Sequence, residues 1–117
     1  AATAAEELAK AKEQITAREL DARIRQGDDI QLIDVREPHE FEIARIPNTK
    51  LIPLAQVVKR AAEIDPSRIT VVHCKVGVRS AQAISALRGA GFAGTLINLQ
   101  GGILAWSDQV DATLPKY

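Results

Sequence analysis

The only cysteine of the chain, Cys74, sits where two kinds of sequence meet. Before it runs "ITVVH", apolar and β-branched; after it, beyond Lys75, Val76, Gly77 and Val78, runs "RSAQAISALRG", which has helical character. A strand that becomes a helix over so few residues points successive backbone N–H groups into one concavity. The helix beginning near Arg79 adds its unpaired N–H groups and the positive end of its dipole. Gly77 permits backbone angles that a residue with a Cβ resists. A thiol at the base of such a cradle ionises readily, because helix N-termini and neighbouring Lys or Arg bring cysteine pKa values to roughly 3.5–7.5. Lys75 and Arg79 are both placed to help. Cys74 is therefore expected to act as a thiolate nucleophile, with Lys75, Val76, Gly77, Val78, Arg79 and Ser80 as the loop that holds its substrate. A lone cysteine without this context is more often a small core residue. Arg79 taken alone reads equally as a solvated first-turn side chain.

An anion-cradling cysteine loop suits two chemistries. Cysteine phosphatases place five residues between Cys and Arg; here four separate Cys74 from Arg79. The smaller cradle suits one bound sulfur atom, carried on the cysteine as a persulfide, better than a tetrahedral oxyanion. The general acid of a phosphatase is also not evident; a small cysteine phosphatase or arsenate reductase stays as an alternative, with the short loop against it. A second polar motif, "DVRE", ends another apolar run, and in parallel α/β sheets ligands sit beyond the carboxyl ends of the strands. Asp34 and Arg36 are expected to brace the cysteine loop, although Asp34 reads nearly as well as a turn cap and Arg36 as half of a surface ion pair. His73 adjoins Cys74 on an extended chain, so its side chain points to the other face; it reads as structural. His39 reads as solvated and Trp106 as core. Neither histidine has a second ligand at metal spacing, so no metal and no cofactor are expected.

The elements that must position these groups alternate. Residues 1–14 are rich in alanine and charge; they favour helix by propensity but carry a thin apolar face, and are expected to be a linker or frayed helix. The domain proper is expected over 15–117. "ITARELDARIRQGD" is a helix, with Thr16 and Glu19 at capping-box spacing, Ala17, Leu20 and Ile24 on one face, and Gly27 to stop it. "IQLIDV" and "KLIPL" are short strands. "EPHEFEIARI" is a short helix with Pro38 in its first turn and Phe41 and Ile46 turned inward. "LAQVVKRAAEI" is an amphipathic helix. "ITVVH" is a strand buried on both faces. The helix after Cys74 repeats Ala81, Ile84, Leu87 and Ala90 at helical spacing. "GTLINL" is a further strand, and "QGGILAWSDQV" a glycine pair leading into a helix. Alternating strands and helices imply an α/β fold with a mainly parallel central sheet between layers of helix.

Three of these segments, in order, resemble the signatures of the rhodanese family of sulfurtransferases: "LIDVREPHEFEIARIP", "VVHCKVGVRS" and "LQGGILAW". The similarity runs from about Ile15 to the end of the chain. "CKVGVRS", "EIARIP" and the terminal "LPKY" are further similar to the rhodanese domain of the adenylyltransferase–sulfurtransferases. That resemblance implies a sulfane sulfur held on Cys74, supplied by a cysteine desulfurase persulfide or by thiosulfate. It implies delivery to the activated C-terminus of a ubiquitin-like sulfur-carrier protein in molybdopterin or related synthesis. It also implies an adenylyltransferase domain ahead of this one in a longer chain, and a cytoplasmic setting. The chain departs from the family at Arg45, where histidine is usual, and at Asn48, where glycine is usual; Asn tolerates left-handed angles, so the turn can survive. A stand-alone thiosulfate sulfurtransferase and a non-catalytic docking module are the other uses such a domain implies.

The totals agree with one domain of ordinary composition. A chain of 117 residues buries roughly two-thirds of its unfolded surface, enough for a core without staples. The formal net charge is zero, which speaks against general nucleic-acid or membrane-surface binding. A single cysteine excludes an internal disulfide. The absence of methionine is expected of a processed chain or of a piece of a longer one. "AATAAEEL" lacks the features of a signal peptide but is compatible with what cleavage at a small-residue site leaves, as in a periplasmic protein.

Overall fold

The computed structural model describes residues 13–117. The expected linker lies almost wholly outside the described residues. Its end does not: Gln14 joins Ile15 in a two-residue strand, β1 (Gln14–Ile15). Then follow α1 (Ala17–Arg25), β2 (Ile30–Asp34), α2 (Pro38–Ile43), β3 (Thr49–Leu51), β4 (Ile69–His73), α3 (Val78–Gly89), β5 (Leu96–Leu99) and α4 (Gly102–Gln109). The strands form one sheet in the order β1-β5-β4-β2-β3, and every pairing is parallel. This is the expected α/β architecture. β4, the strand that ends at the cysteine, occupies the centre.

Alternation along the strands sorts the core into two layers. Leu32, Val71, Ile97 and Leu99 pack on one face with Ile15, Leu20, Ile103 and Trp106 from β1, α1 and α4. Ile33, Val72, Cys74 and Leu96 pack on the other with Ala83 and Leu87 of α3. Burial of both faces explains why β4 reads as an unbroken apolar run. Cys74 thus shares a face with Val72, and His73 is fully buried toward the opposite side.

Local signals hold at most element ends. Thr16 caps α1, accepting from the Glu19 N–H at 3.1 Å while the Glu19 carboxylate accepts from the Thr16 N–H at 3.1 Å. Pro38 occupies the first turn of α2. Asn48 takes a left-handed φ of 61°, which keeps the turn before β3, and Arg45 stacks over the Phe41 ring at 4.9 Å.

Three expectations need correction. The helix read over "LAQVVKRAAEI" is a pair of short 3-10 turns, Leu54–Gln56 and Ala61–Glu63. Adjacent β-branched Val57 and Val58 hold helix poorly, and only Val57 and Ile64 are drawn fully into the core. In α3 the inward face is Ser80, Ala83 and Leu87, not the row through Ala81 and Ala90, because a buried polar network holds Ser80 inside. In α2, likewise, the buried residue is Glu40 while Phe41 is only half-buried.

Candidate active site

Cys74 directly follows β4 at the carboxyl edge of the sheet, and the chain turns into α3 within four residues. Gly77 makes the turn, with a left-handed φ of 109°. Its N–H donates to Cys74 Sγ at 3.1 Å. Ser80 Oγ lies 3.4 Å from the same sulfur. The thiol is almost fully buried, 1% exposed. Burial is the largest single influence on its ionisation and pushes its pKa up. The Ser80 hydroxyl and the backbone N–H groups of Ser80, Gly77 and Val76 together outweigh it, so the pKa lies below the ordinary thiol value. The loop thus favours thiolate through hydrogen bonds in a dry site, where each counts for more than in water.

The two cations expected beside the sulfur are engaged elsewhere. Arg79 grips Glu40 with both terminal nitrogens, Nη1 to Oε1 at 2.6 Å and Nη2 to Oε2 at 2.9 Å. The Arg79 guanidinium is held charged by Glu40 first, and the field of Cys74 is a lesser influence on it. Lys75 Nζ sits 4.5 Å above the Tyr117 ring, a cation–π distance. Lys75 and Arg79 therefore frame the site, while the hydrogen-bond donors that reach the sulfur belong to the turn and to Ser80. Val76 and Val78 project outward, 51% and 62% exposed, as an apolar lip.

Asp34 and Arg36 form a wholly buried ion pair, 2.7 Å from Nη2 to Oδ2. Neither hydrogen-bonds to residues 74–80. Arg36 instead donates to the Glu40 carbonyl at 3.3 Å, the Ala44 carbonyl at 2.6 Å and the Tyr117 hydroxyl at 2.8 Å. Tyr117 donates in turn to Glu40 Oε2 at 2.7 Å. The brace thus runs from Asp34 through Arg36 to α2, and from Glu40 on α2 to Arg79 on the loop.

Beneath the loop lies the glycine pair. Ile103 N–H donates to the Cys74 carbonyl at 2.9 Å and Leu104 N–H to the Lys75 carbonyl at 3.2 Å. The free N–H groups at the start of α4 therefore seat the cysteine loop rather than a ligand. A Cβ on Gly102 would stand 2.4 Å from the Lys75 carbonyl oxygen, so only glycine fits this seat.

Glu40, Asn98 and Tyr117 escaped the reading of the sequence. Asn98 had a signal: it is a polar residue inside the apolar run "LINL", and such residues are buried only with partners. Glu40 and Tyr117 had no local one: Glu40 reaches Arg79 across 39 residues, and Tyr117 reaches Glu40 across 77. His73 is structural, as expected: Nε2 lies 3.3 Å from Thr49 Oγ1, and burial, ahead of the opposing influences of Asp34 and Arg36, lowers its pKa to about 4. His39 is exposed. Among the described residues no cluster of His, Cys, Asp or Glu is arranged to hold a metal ion. Among them, too, no helix is long and apolar enough to cross a membrane.

Comparison with known proteins agrees with this geometry. The model of the rhodanese-like domain matches residues 16–109. The chain is 41% identical over 105 residues to the probable adenylyltransferase/sulfurtransferase MoeZ of Mycobacterium tuberculosis, covering 88% of this chain and 26% of that relative's length. It is 35% identical over 94 residues to a sulfurtransferase of Allochromatium vinosum, covering 80% of this chain and 87% of the relative. The crystal structure of a rhodanese-like domain protein from Staphylococcus aureus superposes with a TM-score of 0.76 at 31% identity, covering 84% of this chain and 94% of that one.

Proposed function

Since the chain belongs to the rhodanese-like domain family, we propose that Cys74 is its sulfur-carrying nucleophile, that the domain is an active sulfurtransferase, and that its acceptor is a sulfur-carrier protein. The observation that carries this is the thiol set beneath the Gly77 N–H and beside Ser80. The Cys74 thiolate attacks the outer sulfur of a donor. The donor's S–S bond breaks, its electron pair leaves on the donor, and Cys74 holds a persulfide. A protein-borne persulfide of the kind a cysteine desulfurase carries leaves as a thiol; thiosulfate leaves as sulfite. The outer sulfur lies in the turn of residues 75–80, where backbone N–H groups stabilise its charge.

Delivery follows from the same charge. A nucleophilic acceptor attacks the outer sulfur and releases the Cys74 thiolate. Toward an adenylated C-terminus the outer sulfur is itself the nucleophile: adenylate leaves, an external thiol attacks Cys74 Sγ so that the S–S bond breaks and its electron pair leaves on the thiocarboxylate, and a second thiol then frees Cys74 as the two external thiols become a disulfide. The similarity to adenylyltransferase/sulfurtransferases supports this second route. On this reading the domain works beside an adenylyltransferase domain, in the cytoplasm. Lys75 and Arg79 orient an anionic donor at the rim, and the apolar lip of Val76 and Val78 meets the partner's chain.

Intact-mass spectrometry tests it. Wild type and Cys74→Ala are incubated with thiosulfate and, separately, with a cysteine desulfurase plus cysteine. The expected result is a gain of one sulfur atom in the wild type alone, removed by cyanide or dithiothreitol. No gain from either donor overturns the mechanism.

A further inference from the structure

Behind the thiol, atom types determine the direction of each hydrogen bond. Asn98 Nδ2 donates to the Gly77 carbonyl at 3.1 Å, which turns Asn98 Oδ1 toward Ser80. That oxygen only accepts, so the 2.6 Å contact with Ser80 Oγ is donated by the serine. A hydroxyl has one proton. With it committed to Asn98, Ser80 presents only lone pairs to Cys74 Sγ, 3.4 Å away. A thiol can donate to those lone pairs; a thiolate is repelled by them. Ser80 is fully buried and Asn98 is 8% exposed, so the serine proton has two acceptors within reach, Asn98 Oδ1 and the sulfur.

We propose that Ser80 and Asn98 form a two-position hydrogen-bond switch: the Ser80 hydroxyl donates to Asn98 while Cys74 Sγ carries a proton or a sulfur atom, and turns to Sγ when that atom becomes a thiolate. Asn98 is a positioning residue that acts on the sulfur through Ser80. The consequence for transfer rests on the sulfurtransferase reading above. When a nucleophile takes the outer sulfur, the bond between nucleophile and sulfur forms, the S–S bond breaks, and its electron pair stays on Cys74 Sγ. The serine proton turns to meet that charge, and it returns to Asn98 once the cysteine is loaded again. Asn98 thereby competes with the thiolate for one proton and sets how readily the loaded cysteine releases its sulfur.

The charged groups around this switch are few. The loop contributes Lys75, over Tyr117. α3 contributes Arg79 and Arg88, α2 contributes Glu40, which neutralises Arg79, and Glu13, just ahead of β1, lines the same cleft as Arg88 and Asn98. β5 and the first turn of α4 contribute none. Asp34 and His73 lie toward the opposite face of the sheet.

With one cysteine in the chain, protein labelled at the cysteine Cβ gives one such NMR resonance, and its pH titration reads the Cys74 ionisation without any sulfur donor. Ser80→Ala is expected to raise the thiol pKa. Asn98→Ala frees the hydroxyl for the sulfur and is expected to lower it, by about tenfold in the ionisation constant, the worth of one hydrogen bond to a charged group. In a Ser80→Ala background Asn98→Ala is expected to change nothing. An Asn98→Ala shift upward, no shift, or an equal shift with and without Ser80 overturns the switch. If Asn98→Ala does not fold, Asn98→Asp decides: it keeps the acceptor and is expected to raise the pKa, by more when Ser80 is present than when it is absent, and equal effects overturn the proposal. Because no donor is needed, a Cys74 that never takes up sulfur leaves this titration intact and fails only the reading above.

Discussion

Glu40 and Arg79 meet end to end, with two parallel hydrogen bonds of 2.6 and 2.9 Å between carboxylate and guanidinium. The pair joins a short helix to the cysteine loop. Both oxygens of the carboxylate carry a further donor, Oε1 from the Glu37 N–H at 3.1 Å and Oε2 from the Tyr117 hydroxyl at 2.7 Å. Arg79 keeps 31% of its side chain exposed and Glu40 only 9%, so the pair falls between a surface bridge and a buried one. Glu40→Ala is expected to lower stability by about 2 kcal/mol, read by urea unfolding at neutral pH. Arg79 first, and Tyr117 against the opposing effect of burial, hold the Glu40 carboxyl well below the usual carboxylate range. Its stabilisation is therefore complete above the ordinary carboxylate pKa and is lost as pH falls toward the folded value. A difference between wild type and Glu40→Ala that stays constant down through acid pH would contradict this account.

The Asp34–Arg36 pair is a different case, because both side chains are fully buried. Removing one partner strands a charge in the interior. Asp34→Ala is expected to cost about 3–5 kcal/mol, while Asp34→Ala combined with Arg36→Leu is expected to cost less than the single change. Equilibrium urea unfolding of the three proteins checks the order. A double variant weaker than Asp34→Ala would mean that Arg36 serves chiefly through its bonds to Glu40, Ala44 and Tyr117.

Two glycines separate backbone strain from a steric seat. A Cβ on Gly27 meets nothing within 4 Å, though its φ is +84°. Gly27→Ala is expected to cost about 1 kcal/mol, the strain of a left-handed residue, and to leave persulfide loading of Cys74 unchanged. A Cβ on Gly102 would lie 2.4 Å from the Lys75 carbonyl oxygen and 2.6 Å from that of Cys74. Those are backbone atoms of the loop, so the loop itself must shift. Gly102→Ala is expected to lose more than twice the stability lost by Gly27→Ala and to slow loading at least tenfold, read by thermal unfolding and by intact mass over time. Normal loading in Gly102→Ala would show that the seat is not what places the thiol.

His73 makes the stability of the protein sensitive to acid. Burial, the leading cause, lowers its pKa from 6.5 to about 4. Between those values the unfolded chain binds the proton and the folded chain does not. Stability from this group is therefore present above about pH 6.5 and declines as pH falls toward 4, by on the order of 3 kcal/mol. Unfolding free energies measured from pH 7 to pH 4 are expected to fall more steeply for wild type than for His73→Gln. Parallel curves would show that His73 does not titrate between the two states.

How much of this was legible in the sequence differs from residue to residue. The Thr16–Glu19 box, Pro38 in the first turn of α2 and the double-sided burial of β4 were readable because each depends on a few neighbours along the chain. The cysteine loop was readable for the same reason: strand, thiol, glycine and helix start are contiguous, and a nest of N–H groups is a local structure. What that loop rests on is not local. "LAQVVKRAAEI" has helical patterning, yet tertiary packing draws in only Val57 and Ile64 and leaves two 3-10 turns. Ser80 faces inward against the apolar row of its own helix because Asn98, on another strand, offers it an acceptor. Arg79 turns to Glu40, and Lys75 to Tyr117, because folding brings residues from distant parts of the chain within hydrogen-bonding or ring-stacking reach. The sequence by itself thus determined the family, and it carried the expectation of a thiol in a strand-to-helix turn, the residue proposed above as the nucleophile. Only the tertiary structure decided which charges are spent on one another and which donors remain for the sulfur, since a hydrogen bond in a dry interior goes to whichever partner the packed elements set within about 3 Å.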